Sequence, residues 1–255
     1  MISSVVPADP PWSVPAHCKV DAKSCNVSRG LDTLPYETSY RAGRTAVCSG
    51  CGVLGMTEFD GLQLVGGHPA LDFMNTVEYR GEPEPGDRLA SFERLARWGV
   101  VAGLLSPDEL TGVVVVHNSV RSSRAARALD SAIELREALY AIVVAHIRKA
   151  PLPRAASRIV ERQLRNASAA STLRHSDGSP PFSWHIPIRN AEDVAVRLAG
   201  CANDLLLSLA RVAVHQCSGP HCDWLFIDRS HGHRRLWCQP AKCGNIVRVR
   251  RFRAS

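Results

Sequence analysis

The residues best suited to do chemistry lie near the end of the chain, in the pattern Cys217-x4-Cys222-x15-Cys238-x4-Cys243. Two close pairs of cysteines separated by a short insert form the framework of a structural zinc site, because a soft divalent ion needs four converging ligands. Each pair supplies two thiolates from one turn, and the insert brings the pairs together. His215 and His221 stand near enough in sequence to replace one cysteine. Four thiolates would complete a tetrahedron and leave no position for a reacting water, so the expected zinc is structural, one per chain. Cys201 falls inside a helical stretch and reads as a small core residue. Cys48 and Cys51 form a further C-x-x-C, but no second pair or strand-turn pattern accompanies them.

The elements that must hold the four ligands follow from the intervening residues. Residues 224–228 and 235–237 read as two strands joined at Ser230-His231-Gly232-His233. Pro240 sits where a first-turn proline opens a helix, so Cys238 would precede that helix and Cys243 would lie in its first turn. Knuckle, hairpin and helix together describe a treble-clef-like finger over residues 213–255. On a helical period Gly244, Arg248 and Arg251 share a face, expected to be exposed, while Ile246 and Val249 fall with Cys243 toward the zinc, flanked by Arg250 and Arg253.

Charge singles out the same region. The formal net charge is +7, yet from Arg229 onward there is no Asp or Glu and there are eight basic residues. Without those eight, 23 Lys and Arg face 24 Asp and Glu. A local basic surface is the footprint expected for a polyanion, most often nucleic acid. Arg234, Arg235, Arg248, Arg250, Arg251 and Arg253 are the candidate DNA contacts, since arginine suits both phosphate and guanine. A solubilising charge run, or pairing with acidic groups elsewhere in the chain, would give the same composition.

The rest of the chain reads as a mainly helical domain over residues 60–212. A short strand at 62–65 ends at Gly66-Gly67, and a short helix follows from His68 to Val77. Leu89, Phe92, Leu95 and Trp98 recur at helical spacing. Ser106-Pro107-Asp108-Glu109 carries an N-cap, a first-turn proline and a capping-box glutamate. Long helices are expected over 129–147, 153–170 and 190–214, with a small hairpin at 171–186. Residues 1–55, rich in proline and without sustained periodicity, read as a disordered extension, with Met56 as the natural start. No run approaches the ~18 apolar residues of a membrane span. The N-terminus lacks a secretion signal, so a cytoplasmic protein is expected.

Asp72, Asn75, Thr76 and Arg80 form a polar cluster along the first short helix. They could line a pocket for a small-molecule effector, or cap the helix and tie it to its neighbours. No Ser-His-Asp set, phosphate loop or dinucleotide fingerprint is present, so no enzyme is expected.

The chain resembles the CGNR zinc-finger family, whose N-terminal part is the ABATE domain. The finger matches through Cys217, Cys222, Trp224-Leu225-Phe226-Ile227-Asp228, Trp237-Cys238, Cys243-Gly244-Asn245 and Val249-Arg250-Arg251-Phe252-Arg253. The helical domain matches through Gly66-Gly67, Leu71-Asp72-Phe73, Asn75-Thr76 and Leu89, Leu95 and Trp98. The resemblance covers about residues 60–255 and implies a bacterial, stress-linked transcription regulator. In that reading the finger binds DNA and the helical domain senses an effector or forms a homodimer. A zinc-stabilised protein-interaction module without direct DNA binding is the alternative. The family signature ends in arginine, whereas this chain has Ile246, so one expected contact is missing.

Overall fold

The computed structural model describes residues 58–119, 123–175, 177 and 181–254. The expectations for residues 1–55, for Met56 and for Cys48 and Cys51 lie outside them.

The described chain is mainly α-helical. Seven α-helices run in order: α1 (Pro69–Met74), α2 (Phe92–Val101), α3 (Pro107–Ser119), α4 (Ser123–Ile147), α5 (Arg154–Ala170), α6 (Ala191–Ser208) and α7 (Asn245–Ala254). Eight short strands pair as four separate antiparallel hairpins: β1 (Glu58–Phe59) with β2 (Leu62–Gln63), β3 (Val77–Glu78) with β4 (Gly86–Asp87), β5 (Thr172–His175) with β6 (Phe182–His185), and β7 (Val214–Gln216) with β8 (Leu225–Ile227).

Helices α4, α5 and α6 pack against one another and form the trunk of the body. Small residues make the close approach possible: Ala125, Ala128, Ala132, Ala199 and Ala202 are buried beside Leu135, Leu139, Leu198 and Leu205. Helix α1 is buried along its whole length and packs on α4, α6 and β8. Its Phe73 ring lies 5.3 Å from that of Trp98 on α2.

Local signals set the helix starts. Ser106 Oγ accepts the Glu109 amide at 3.1 Å and Glu109 Oε2 accepts the Ser106 amide at 2.9 Å, the reciprocal box expected before α3. Glu109 also receives both terminal nitrogens of Arg197 at 2.8 Å, tying α6 to the start of α3. Asn190 and Asp193 form a second box at α6. His68 caps α1, its Nδ1 accepting the Ala70 amide at 3.1 Å. Burial, and then the nearby Arg229 charge, pull the His68 pKa down to about 3, so the ring stays neutral and can accept.

Two sequence expectations need correction. The last long helix ends at Ser208 rather than at Val214, because Val214 is drawn into a strand opposite Ile227. Residues 235–237 form no strand. The partner of β8 is β7, so the hairpin brackets the first cysteine pair instead of filling the insert. The insert is closed by Asp228, whose carboxylate accepts the Ser230 amide at 2.8 Å and the Arg235 amide at 2.7 Å. A carboxylate already bridging those amides leaves no extended run to pair with β8.

Candidate metal centre and nucleic-acid interface

Cys217 and Cys222 flank the turn between β7 and β8, Cys238 follows the Asp228 loop, and Cys243 lies in a wide helical turn (Pro240–Gly244) that leads into α7. Their four sulfurs lie within 4.8 Å of one another. Cys238 Sγ is 3.7 Å from both Cys222 Sγ and Cys243 Sγ. Zinc–thiolate bonds of about 2.3 Å in a tetrahedron place sulfurs roughly 3.8 Å apart, so the spacing fits one zinc ion.

The backbone is shaped around these sulfurs. Gly219 N donates to Cys217 Sγ at 3.4 Å and Cys238 N at 3.3 Å, bonds that disperse thiolate charge. A side chain at Gly219 would meet Cys243 Cβ at 2.9 Å, so glycine is required there. Hydrogen bonds from Cys222 and Cys238 push the Cys217 thiol far down, while bonds to Cys217 and Cys222 push Cys238 up. Four crowded sulfurs cannot all ionise beside one another, and a divalent cation among them removes that conflict. Bound there, zinc supplies structure alone. His215 stacks on Phe226 with ring centroids 5.9 Å apart, and His221 pairs with Glu82, so neither histidine joins the cysteines.

Strand β8 joins the finger to the body. Its side chains alternate: Leu225 and Ile227 enter the core of the helical body, and Phe226 packs with Cys217 and Cys238. The Asn75 side chain donates to Leu225 O and accepts from Leu225 N, both at 2.8 Å, acting as a strand partner. Ile227 N donates to Gly66 O at 2.8 Å, and Trp224 Nε1 to Val77 O at 3.2 Å. Tyr140 of α4 donates to Asp223 O at 3.0 Å.

The candidate effector residues are part of this seam. Asp72 Oδ1 accepts the Gly66 amide at 2.7 Å, Asn75 holds Leu225, and Thr76 Oγ1 donates to Phe73 O at 2.7 Å and accepts from the buried Arg136 at 3.0 Å. Arg80 donates to Met74 O at 2.8 Å, pairs with Glu137 and lies over the Tyr140 ring at 4.1 Å. Two surface hollows, one between α4, α5 and α6 and one between Ile147, Leu152 and His215, involve none of the four. The contacts of these four residues are those of the capping and tying role. Arg136, bound to both Asp87 oxygens at 2.9 and 2.6 Å, drew no notice in the sequence because its partners are 49 and 60 residues away.

The candidate DNA-binding arginines divide into two groups. Arg235 is turned inward: its guanidinium lies 4.5 Å from the Phe226 ring centre, and it donates to Trp237 O at 2.8 Å and to Cys238 O. Arg234, Arg248, Arg250, Arg251 and Arg253 are exposed. The orientation of α7 differs from the expected one. Gly244 is buried against Trp237, where an added Cβ would sit 3.1 Å from Cε3, so the helix rests on its glycine side. Ile246 and Val249 consequently face solvent, not zinc, at 46% and 40% exposure, and Phe252 is 85% exposed.

Among the described residues no helix is long and apolar enough to cross a membrane. The chain matches no curated protein. Residues 67–214 match the ABATE family, described as "Putative stress-induced transcription regulator", and residues 213–255 match the CGNR zinc finger. The mainly helical body, the four-cysteine centre and these matches together show that the chain belongs to the ABATE family and ends in a CGNR zinc finger holding one structural zinc ion.

Proposed function

We propose that this protein is a DNA-binding transcription regulator whose zinc finger docks on DNA while the helical body forms a homodimer and carries the regulatory input. The observation that carries this reading is the exposed arginine set on a tail without acidic residues. After Asp228 the chain holds no Asp or Glu, and Arg234, Arg248, Arg250 and Arg253 make no ion pair among the described residues. A phosphate backbone supplies the missing negative charge. Such a regulator works beside the chromosome, in the cytoplasm. The body contributes no catalytic set to this reading.

The β5–β6 hairpin supports the dimer. Leu173, His175, Phe182 and Trp184 share one side of it, and Leu173 and Phe182 are exposed. A lone two-stranded hairpin is marginal in water, and a second copy of the same face would cover it symmetrically.

The test is binding of the zinc-loaded protein to genomic DNA fragments across a salt series. Log affinity is expected to fall steeply with log salt, and Arg250→Ala with Arg253→Ala to flatten the slope by about one unit per lost phosphate contact. No binding to any fragment at low salt would overturn the reading.

A further inference from the structure

Helix α7 is basic, yet it leaves three large apolar side chains in water. With Gly244 against Trp237, Ile246 lies roughly opposite the packed side, at the centre of the outward face. At about 100° per residue, Arg250 and Arg253 fall roughly 40° and 20° to either side of Ile246, and Val249 roughly 60° away. Phe252, roughly 120° from Ile246, carries the apolar strip round the helix toward its end. A solvated cationic tail has no need of isoleucine, valine and phenylalanine at three-residue intervals, and exposing them is unfavourable.

The charge around the strip selects its occupant. A second copy would set arginines against arginines, because no acidic residue follows Asp228. Duplex DNA matches both components. A helix about 10–12 Å across fits the major groove, about 12 Å wide, with phosphates along both walls and thymine 5-methyl groups on its floor. Arg250 and Arg253, on either side of Ile246, reach the walls while Ile246 and Val249 meet the floor.

We propose that α7 reads thymine methyl groups in the major groove through Ile246 and Val249, with Arg250 and Arg253 holding the flanking phosphates. The inference rests on the DNA-binding reading and names its specificity. At Ile246, where the finger's Cys-Gly-Asn-Arg signature has arginine, an apolar side chain takes the place of a cationic one.

The test uses the zinc-loaded full chain and two pairs of short duplexes. One pair is an alternating A·T duplex and its twin with uracil for thymine. The other is a G·C duplex with and without 5-methylcytosine. The methyl-bearing member of each pair is expected to bind about threefold to tenfold more tightly. Ile246→Ala with Val249→Ala is expected to erase that difference while keeping one zinc per chain and the steep salt dependence. Equal affinity for both members of each pair would overturn the methyl reading and leave DNA binding standing. A double variant that still prefers the methylated members by the same factor would also overturn it. Binding to no duplex would overturn the function and the inference together, as would binding only to anionic vesicles or to an acidic protein. Self-association without DNA that Phe252→Ser abolishes would assign the strip to a second copy and overturn the inference.

Discussion

The trunk of the body buries alanine and leucine along three long helices, whereas the finger buries only Cys217, Phe226 and Cys238 in a cluster of its own. Apolar burial can hold the first region. The second has too little of it, so its shape depends on the metal and on the seam with the body. The same contrast appears in two buried aspartates. Burial pushes the Asp204 carboxyl up to about 8, and its Oδ1 has no hydrogen-bond partner. Burial also pushes Asp228 up, but bonds from the Ser230 side chain and from the Ser230 and Arg235 amides outweigh it and hold the group down at about 2. Among the described residues the finger, short of apolar mass, leaves no buried side-chain polar atom without a partner; the body tolerates an unpaired acid.

Metal removal gives the largest expected effect. Structural zinc contributes about 10–16 kcal/mol in finger peptides, more than the whole stability of many domains. Chelation or Cys238→Ser is expected to deprotect residues 217–254 in hydrogen exchange while α4, α5 and α6 keep their protection. Equal deprotection of those helices would break the comparison, since the body would then depend on the finger. Next in size is Asn75→Ala, which leaves the Leu225 amide and carbonyl unpaired at about 1–3 kcal/mol each. Zinc should stay bound, and exchange should quicken at Leu225 and Ile227 first. Unchanged exchange there would show the seam to be held by apolar contact alone.

The smallest expected effect is that of Asp204→Asn. The parent's folded pKa is raised, so its folded state keeps a proton that the unfolded chain, with a pKa near ~3.9, has lost. Its stability is therefore whole below about pH 4 and declines as pH rises toward 8. The Asn variant should match the parent at pH 4 and exceed it by about 1 kcal/mol at pH 8, a value reduced from the full shift by relaxation around a buried charge. Thermal melts at the two pH values measure this. Asp228 works with the opposite sign: its contribution is full above about pH 4 and is lost only as pH falls toward 2, so it does not interfere.

Much of the centre was legible in sequence because it is local. Four cysteines in two tight pairs carry their own geometric instruction, and Ser106 with Glu109 marks a helix start within four residues. The seam was not legible in this way. Asn75 and Leu225 are 150 residues apart, and neither carries a local mark of the other. The partner of β8 was misread for a related reason: alternation shows that 225–227 is extended but not which strand adjoins it, and the nearer candidate is held by Asp228. The facing of α7 was misread because helical period fixes which residues share a side, not which side is covered. Gly244 settles that only once Trp237 is known to lie against it. Arg235 looked like its neighbours on the tail until Phe226 lay beneath it.

Strand β8 has a consequence for how this protein can be divided. One of its faces completes the helical body and the other roofs the metal, and the two family matches meet at residues 213 and 214, where β7 begins. The boundary therefore falls at the start of a paired strand instead of in a linker. A finger cut free at that point would expose Leu225 and Ile227, and a body left behind would keep Asn75 with nothing to hold. Such a finger, unlike zinc modules on flexible tethers, is not self-contained: moved alone, it would carry Leu225 and Ile227 uncovered.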